Sequence, residues 1–102
     1  MSTFQAIYQT DASGRPLLYV TGDLDLAAAP TLIQAASNSE DVDPLQIDLS
    51  EVTFLDSTGL GALITIRNDV RERGGRIELV AYSSAVQRVL TLTGIDGDVL
   101  GE

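Results

Sequence analysis

The 102-residue sequence contains no histidine and no cysteine, and its six basic residues are all arginines, so lysine is absent as well. A Ser-His-Asp hydrolase needs an imidazole to take the serine proton, and a P-loop or a Schiff-base enzyme needs a lysine. Structural zinc sites and thiol redox switches need cysteine or histidine. Only carboxylate and hydroxyl chemistry remains, so we expect a protein that is not an enzyme and that holds no cofactor and no metal ion.

Positive charge and long apolar runs are scarce too. The net charge of −9 and the pI near 4.1 would repel phosphate backbones and anionic lipid, which argues against nucleic acid and membranes as partners. No apolar stretch approaches the roughly 20 residues of a membrane helix, and residues 1–5 lack the regions of a signal peptide. We therefore expect a cytoplasmic protein that binds other proteins. A chain of this length with 44% hydrophobic residues can bury one modest core, which predicts a single domain over residues 1–102.

Local patterns predict seven elements in the order β-β-α-β-α-β-α. Aromatic and β-branched residues favour strands over residues 4–9 and 17–21, and the turn-forming segment between them indicates a hairpin. The alanine-rich residues 26–37 favour a helix capped by Asp25, with Pro30 in its first turn. The remaining predicted elements are a strand over residues 45–49, a helix over residues 58–73 ended by Gly74-Gly75, a strand over residues 77–81, and a helix begun by a capping box of Ser84 and Gln87 and ended by Gly94.

Alternation within the strands predicts which side of the sheet is covered. Leu45, Ile47 and Leu49 alternate with Gln46 and Asp48, as in a strand with one buried and one solvated face. We therefore expect an α/β domain with a mixed sheet and with the helices mainly on one face.

The segment Asp56-Ser57-Thr58-Gly59-Leu60-Gly61 follows an apolar run and opens the longest predicted helix. A helix N-terminus exposes unpaired N–H groups and partial positive charge, so a serine there is reachable and a phosphate on it can be tolerated. The segment predicts a switch site. The alternative is that Ser57 or Thr58 is only the N-cap of the helix.

Most other charged residues have a structural interpretation. Asp25 is explained as well by helix capping as by partner contact, and Asp23 as well by ending a strand. Arg67, Arg71 and Arg73 predict a solvated helix face. Residues assigned to loops, turns or solvent are Asp41, Asp43, Asp48, Asp96 and Asp98.

Several of these features in combination resemble a STAS domain of the bacterial anti-anti-sigma factor type. They are the element order, Thr21-Gly22-Asp23-Leu24-Asp25, Ile47-Asp48-Leu49 followed by residues 52–55, Asp56-Ser57-Thr58-Gly59-Leu60-Gly61, and Gly74-Gly75. Each motif alone is weak, but their order and spacing cover nearly the whole chain.

The resemblance implies an anti-sigma factor antagonist that works by partner switching. Such a protein binds an anti-sigma factor, itself a serine kinase, and so releases a sigma factor. The kinase inactivates it by phosphorylating the serine after the aspartate, here Ser57 with Thr58 as the fallback acceptor, and a PP2C-type phosphatase removes the phosphate.

The resemblance also implies a partner-binding surface around the acceptor. Asp23, Asp25 and Asp56 would surround Ser57, and Gly59 and Gly61 would admit the partner's backbone. Relatives often carry Glu where this chain has Asp23, a change that shortens the side chain and keeps its charge.

Other functions remain open. STAS domains also serve as accessory subunits of ABC-type lipid transport systems, although those subunits tend to lack the Asp-Ser-Thr-Gly series, and as regulatory scaffolds. A receiver-like metal site of Asp23, Asp25 and Asp56 would need a lysine to stabilise an acyl phosphate, which the chain lacks.

Overall fold

Four strands form one mixed sheet in the order β1-β2-β3-β4 in the computed structural model, which describes residues 4–95 and 100–101. β1 runs antiparallel to β2, whereas β2, β3 and β4 are parallel. The predicted element order and mixed sheet are confirmed. The elements are β1 (Gln5–Thr10), β2 (Pro16–Leu24), α1 (Ala29–Ser37), β3 (Leu45–Leu55), α2 (Ser57–Glu72), β4 (Ile77–Tyr82) and α3 (Ser84–Thr93).

The helices lie mainly on one face of the sheet, as predicted, and one apolar core fills the space between the two layers. Ile7 remains exposed on the opposite face, because its register partner Tyr19 lies between the buried Leu18 and Val20. Core side chains include Leu18, Leu32, Ile47, Leu63, Ile66 and Leu90. Among the described residues, no helix is long and apolar enough to cross a bilayer.

The predicted hairpin of β1 and β2 is confirmed, and Asp11 fastens its turn. Its Oδ1 accepts hydrogen bonds from the backbone N–H groups of Ser13 at 2.9 Å and Arg15 at 3.0 Å. Gln46 Nε2 donates to Asp11 Oδ2 at 3.0 Å and to the Pro16 carbonyl at 3.3 Å, so Gln46 is buried rather than solvated as its alternation predicts. These bonds, above all that from the Gln46 amide, hold the pKa of Asp11 well below its ordinary value.

Helix α1 begins later than predicted. Its first residue is Ala29 and its N-cap is Ala28, which has no capping side chain, so the prediction of Asp25 as the helix cap is wrong. Asp25 Oδ1 instead accepts from the N–H of Ala28 at 3.0 Å and closes a turn before the helix. Leu26 therefore lies in that turn, and Pro30 lies in the first helical turn as predicted.

Helix α3 is capped one residue earlier than predicted. Ser83 Oγ accepts from the N–H of Val86 at 3.3 Å, whereas Ser84 is the first helical residue. The predicted capping box is wrong, since Gln87 Nε2 donates to Thr91 Oγ1 at 3.0 Å. Gly94 ends the helix in the left-handed region, with φ of 73°, as predicted.

Strands β2 and β3 are both longer than the sequence pattern predicts, because they pair with each other in parallel. The separate segments 45–49 and 52–55 belong to the single strand β3, and β2 continues through Gly22 and Asp23 to Leu24. The β2–β3 pair has two register shifts, one between Tyr19 and Thr21 and one between Gly22 and Asp23, so the pairing continues past these irregularities.

Arg73 is exposed at the end of α2, as predicted, but its side chain also makes contacts that the sequence did not predict. Its guanidinium donates to the carbonyl oxygens of Ser39 and, at 3.5 Å, Ala36 near the C-terminus of α1, and it forms an ion pair with Asp69 at 3.5 Å. After it, Gly74 adopts φ of 85° and ends α2 at the predicted Gly-Gly pair. Asp96 and Asp98, predicted to serve turns, lie outside the described residues.

Candidate functional site

Parallel pairing brings the ends of β2 and β3 to the same edge of the sheet. The last register pair is Leu24 with Leu55, and Asp25 and Asp56 follow these two residues directly. Segments about thirty residues apart in sequence therefore place their acidic residues side by side at one edge.

Ser57 lies exposed at the first position of α2. The N-cap is Asp56, whose extended backbone and side chain let Oδ1 accept from the N–H of Gly59 at 2.9 Å. The interpretation of Ser57 or Thr58 as the cap is therefore wrong. Capping is done by Asp56, so the hydroxyl of Ser57 is presented to solvent without a role in starting the helix.

The other two predicted aspartates lie at this edge and also accept hydrogen bonds. Asp23 Oδ1 accepts from Thr53 Oγ1 on the neighbouring strand at 2.6 Å. Asp25 closes the turn before α1 through the N–H of Ala28. Each carboxylate is thus partly buried and held in place by a backbone or side-chain donor.

A small cleft of about 180 Å³ opens beside these carboxylates. It lies between the beginning of the described chain, the end of β2 and the start of α1. Sequence reasoning missed it, because it depends on the packing of three separated segments. The cleft is lined by Phe4, Asp23, Asp25, Ala27, Ala28 and Thr31.

The two predicted contact glycines have different surroundings. Gly59 is buried, and a Cβ there would collide with the carbonyl oxygen of Leu24, so its missing side chain serves the packing of α2 against β2. Admission of a partner's backbone at Gly59 is therefore contradicted by its burial. Gly61 is exposed, and a Cβ there would meet nothing within 4 Å.

Two large apolar side chains that the sequence analysis missed lie exposed at the same edge. Leu26, in the turn after Asp25, is 73% exposed, and Phe54, two residues before Asp56, is 47% exposed. The signal that could have found Leu26 is its position between a turn-forming aspartate and a proline-marked helix start.

The receiver-like metal site gains no support. Among residues 4–95 and 100–101, no group of three or more acidic residues lies close enough together to hold a metal ion. Asp23, Asp25 and Asp56 instead fix local backbone and strand contacts.

Comparison with known proteins identifies the domain family. The sequence model of the family described as "Mlab, STAS domain" matches residues 8–102. The chain is 31% identical over 80 residues to the anti-sigma-B factor antagonist of Listeria monocytogenes, covering 76% of this chain and 70% of that protein. It is also 31% identical to the anti-sigma-B factor antagonist of Bacillus subtilis, covering 74% of this chain and 71% of that one.

A solved structure agrees. The crystal structure of an anti-sigma factor antagonist from Mycobacterium paratuberculosis matches with a TM-score of 0.73 and 33% identity, covering 90% of this chain and 79% of that chain.

Proposed function

The chain belongs to the STAS domain family, with anti-sigma factor antagonists among its relatives, and from that premise we propose that it is an anti-sigma factor antagonist of a partner-switching pathway. In its unmodified form it binds an anti-sigma factor that is also a serine kinase, and a sigma factor is released. The kinase phosphorylates Ser57 and ends the interaction, and a PP2C-type phosphatase restores it. The protein acts in the cytoplasm as a binding partner and not as an enzyme.

The placement of Ser57 is the observation that carries the proposal. Its side chain is exposed at the N-terminus of α2, and Asp56 caps that helix. A phosphate on Ser57 would face the free N–H groups and the positive end of the helix dipole, which offsets its charge by about 0.3–1 kcal/mol. Because Ser57 is exposed, solvent also screens repulsion between the phosphate and the neighbouring aspartates, so we expect the domain to stay folded when it is modified.

Charge repulsion supplies the switch. A phosphate adds about −1.5 to −2 charge at pH 7, beside Asp56 and near Asp25. At an effective dielectric constant of about 20 and a separation of roughly 5 Å, each pair of unit charges costs on the order of 3 kcal/mol. A partner that places an acidic group opposite the Ser57 hydroxyl would meet this repulsion, which corresponds to about a hundredfold in affinity.

The carboxylates beside Ser57, and not its hydroxyl, fit cationic groups on the partner. Asp23 and Asp25 line the cleft beside the acceptor, and the net charge of the chain is −9. Opposite charge on the partner would speed encounter and fix its orientation. Gly61 leaves room for that partner, since its side-chain position is open.

Intact-mass measurement tests the proposal. The protein is incubated with Mg-ATP and each candidate anti-sigma kinase from the genome of origin, as wild type, Ser57→Ala and Thr58→Ala. We expect one added phosphate on the wild type and on Thr58→Ala, and none on Ser57→Ala. Ser84→Ala is the matched control, because Ser84 is also exposed and is the first residue of a helix.

Melting temperature separates repulsion at an interface from loss of the fold. The phosphorylated sample should melt within a few degrees of the unmodified one. A collapse in stability would mean that phosphorylation acts by unfolding. No phosphate on a folded wild type with any candidate kinase would contradict the proposal and favour an accessory subunit of an ABC-type lipid transport system or a regulatory scaffold.

A further inference from the structure

We infer that Leu26 and Phe54, together called the apolar pair, anchor the anti-sigma factor on this protein, a role that rests on the proposed function. The acidic residues around them would set the partner's orientation, whereas the apolar pair would supply most of the affinity. Interfaces commonly divide the work in this way, with a few buried large side chains dominating the binding energy and charged groups at the rim.

The apolar pair is exposed without serving the domain's core. Leu26 is 73% exposed in a turn that is closed by the Asp25 carboxylate and by the backbone N–H of Ala29 bonded to the Asp25 carbonyl. Those bonds do not need a large apolar side chain at position 26. Phe54 is 47% exposed in β3, while its neighbour Leu55 is buried. Covering both side chains would remove substantial apolar surface from water.

The strand register places the apolar pair at the same edge of the sheet as the phosphoacceptor. Leu26 and Ser57 each lie two residues beyond the last register pair, Leu24 with Leu55. Phe54 is paired with Asp23, one position before that last pair. Because the first turn of α2 also lies close to Leu24 at Gly59, Leu26 and Ser57 stand at the same edge of the sheet.

The charges around the apolar pair determine what kind of occupant fits. Asp23, Asp25 and Asp56 lie next to it, so a partner should present an apolar patch bordered by arginine or lysine. A second copy of this chain is a poor occupant. Symmetric contact would bring two sets of these aspartates together, in a chain of net charge −9 that has no lysine.

Phosphorylation would then act on the apolar pair as well as on the charges. A phosphate on Ser57 holds its water strongly, and a hydrated dianion beside Leu26 would keep that side chain from being buried against a partner. Loss of the apolar contact and charge repulsion would therefore occur together at one modified residue.

Matched substitutions test the anchor. Affinity for each purified anti-sigma factor of the genome of origin is measured by titration calorimetry with ADP, so that no phosphate is transferred. Leu26→Ser and Phe54→Ala should each weaken binding about thirtyfold. Leu92→Ser is the control for Leu26, since Leu92 is 78% exposed on α3, and Tyr8→Ala is the control for Phe54, since Tyr8 is 45% exposed on β1. Both controls should stay within about twofold of wild type.

The outcomes distinguish failure of the apolar anchor from failure of the proposed function. Leu26→Met should bind like wild type, because it keeps the apolar surface, and all variants should melt near the wild-type temperature. Wild-type affinity in Leu26→Ser and Phe54→Ala would overturn the anchor and leave the proposed function intact. Equal losses in the controls would likewise overturn it. A wild type that binds none of the anti-sigma factors would overturn both.

Discussion

Adding a Cβ methyl group would have different consequences at two glycines of α2. At Gly59 it would collide with the carbonyl oxygen of Leu24, so the bare backbone is what allows the helix to lie against the end of β2. At Gly61 it would project into open space, and a glycine inside a helix is unfavourable by about 0.5–1 kcal/mol relative to alanine. The domain gains nothing from Gly61 in return, which supports a contact with a partner.

Alanine at the two positions should therefore have opposite effects. Gly59→Ala is expected to lower the free energy of unfolding by about 1–3 kcal/mol through overpacking, and Gly61→Ala to raise it by about 0.5–1 kcal/mol. Urea denaturation of both variants checks the signs. Under the proposed function, Gly61→Ala should also bind the anti-sigma factor more weakly. A Gly61→Ala protein that is more stable and binds normally would remove Gly61 from the proposed interface.

The individual residues of the site were predictable to different degrees. Ser57 and Asp56 stand in a contiguous motif, so their place at a helix start could be derived from the sequence. Leu26 and Arg73 could not be placed in this way. Leu26 fits the period of a helix that in fact begins later, and the carbonyl partners of Arg73 lie at and just after the end of α1, more than thirty residues earlier.

At the level of elements, local signals determined type and order, and tertiary pairing determined the ends. The hairpin, the Gly74-Gly75 stop and the Gly94 cap were predicted correctly, because each depends on neighbouring residues. The lengths of β2 and β3 were not predicted correctly. Parallel pairing keeps both strands extended over polar residues that locally favour a loop. Burial of Gln46 also depends on a distant residue, Asp11.

Arg73 connects the end of α2 to the end of α1, and its substitution should lower the stability of the domain. In Arg73→Met the charged hydrogen bonds to the carbonyls of Ala36 and Ser39 are lost. We expect the free energy of unfolding to fall by about 1–2 kcal/mol, since the side chain is partly exposed. Each kcal/mol corresponds to about 4–8 °C in melting temperature for a domain of this size.

Arg71→Met is the matched control for this measurement. Arg71 lies in the last turn of α2 and is exposed, so its loss should change stability by less than about 0.5 kcal/mol. Equal shifts in the two variants would mean that charge at the end of α2, and not the link to α1, is what matters.

The whole molecule is strongly acidic and lacks histidine, the side chain whose ordinary pKa lies nearest to neutral pH. With no histidine among 102 residues, stability should be nearly flat between about pH 6 and pH 8. Stability should depend on pH in the acidic range, because Asp11 has a lowered pKa in the folded chain. A lowered folded pKa contributes stability that is present above the unfolded value of about 3.9 and is lost as the pH falls toward the folded value.

Asp11→Asn should reveal this contribution. At pH 7 the variant is expected to melt below the wild type, because the charged acceptor for Gln46, Ser13 and Arg15 is gone. The difference in melting temperature should shrink as the pH is lowered below about 4. Glu40→Gln, which removes an exposed carboxylate in the loop after α1, is the control. A pH-independent difference between Asp11→Asn and wild type would rule out the ionised carboxylate as its source.

The shared edge of β2 and β3 makes the acceptor surface a conformational epitope. Leu24 through Leu26 and Leu55 through Ser57 meet only after the two strands have paired and Gly59 has docked on Leu24. Under the proposed function, a short peptide around Ser57 would carry the phosphorylatable hydroxyl and still be a poor kinase substrate. A nascent or damaged chain would be an equally poor substrate for the kinase. The pathway would therefore respond only to antagonist molecules that have finished folding.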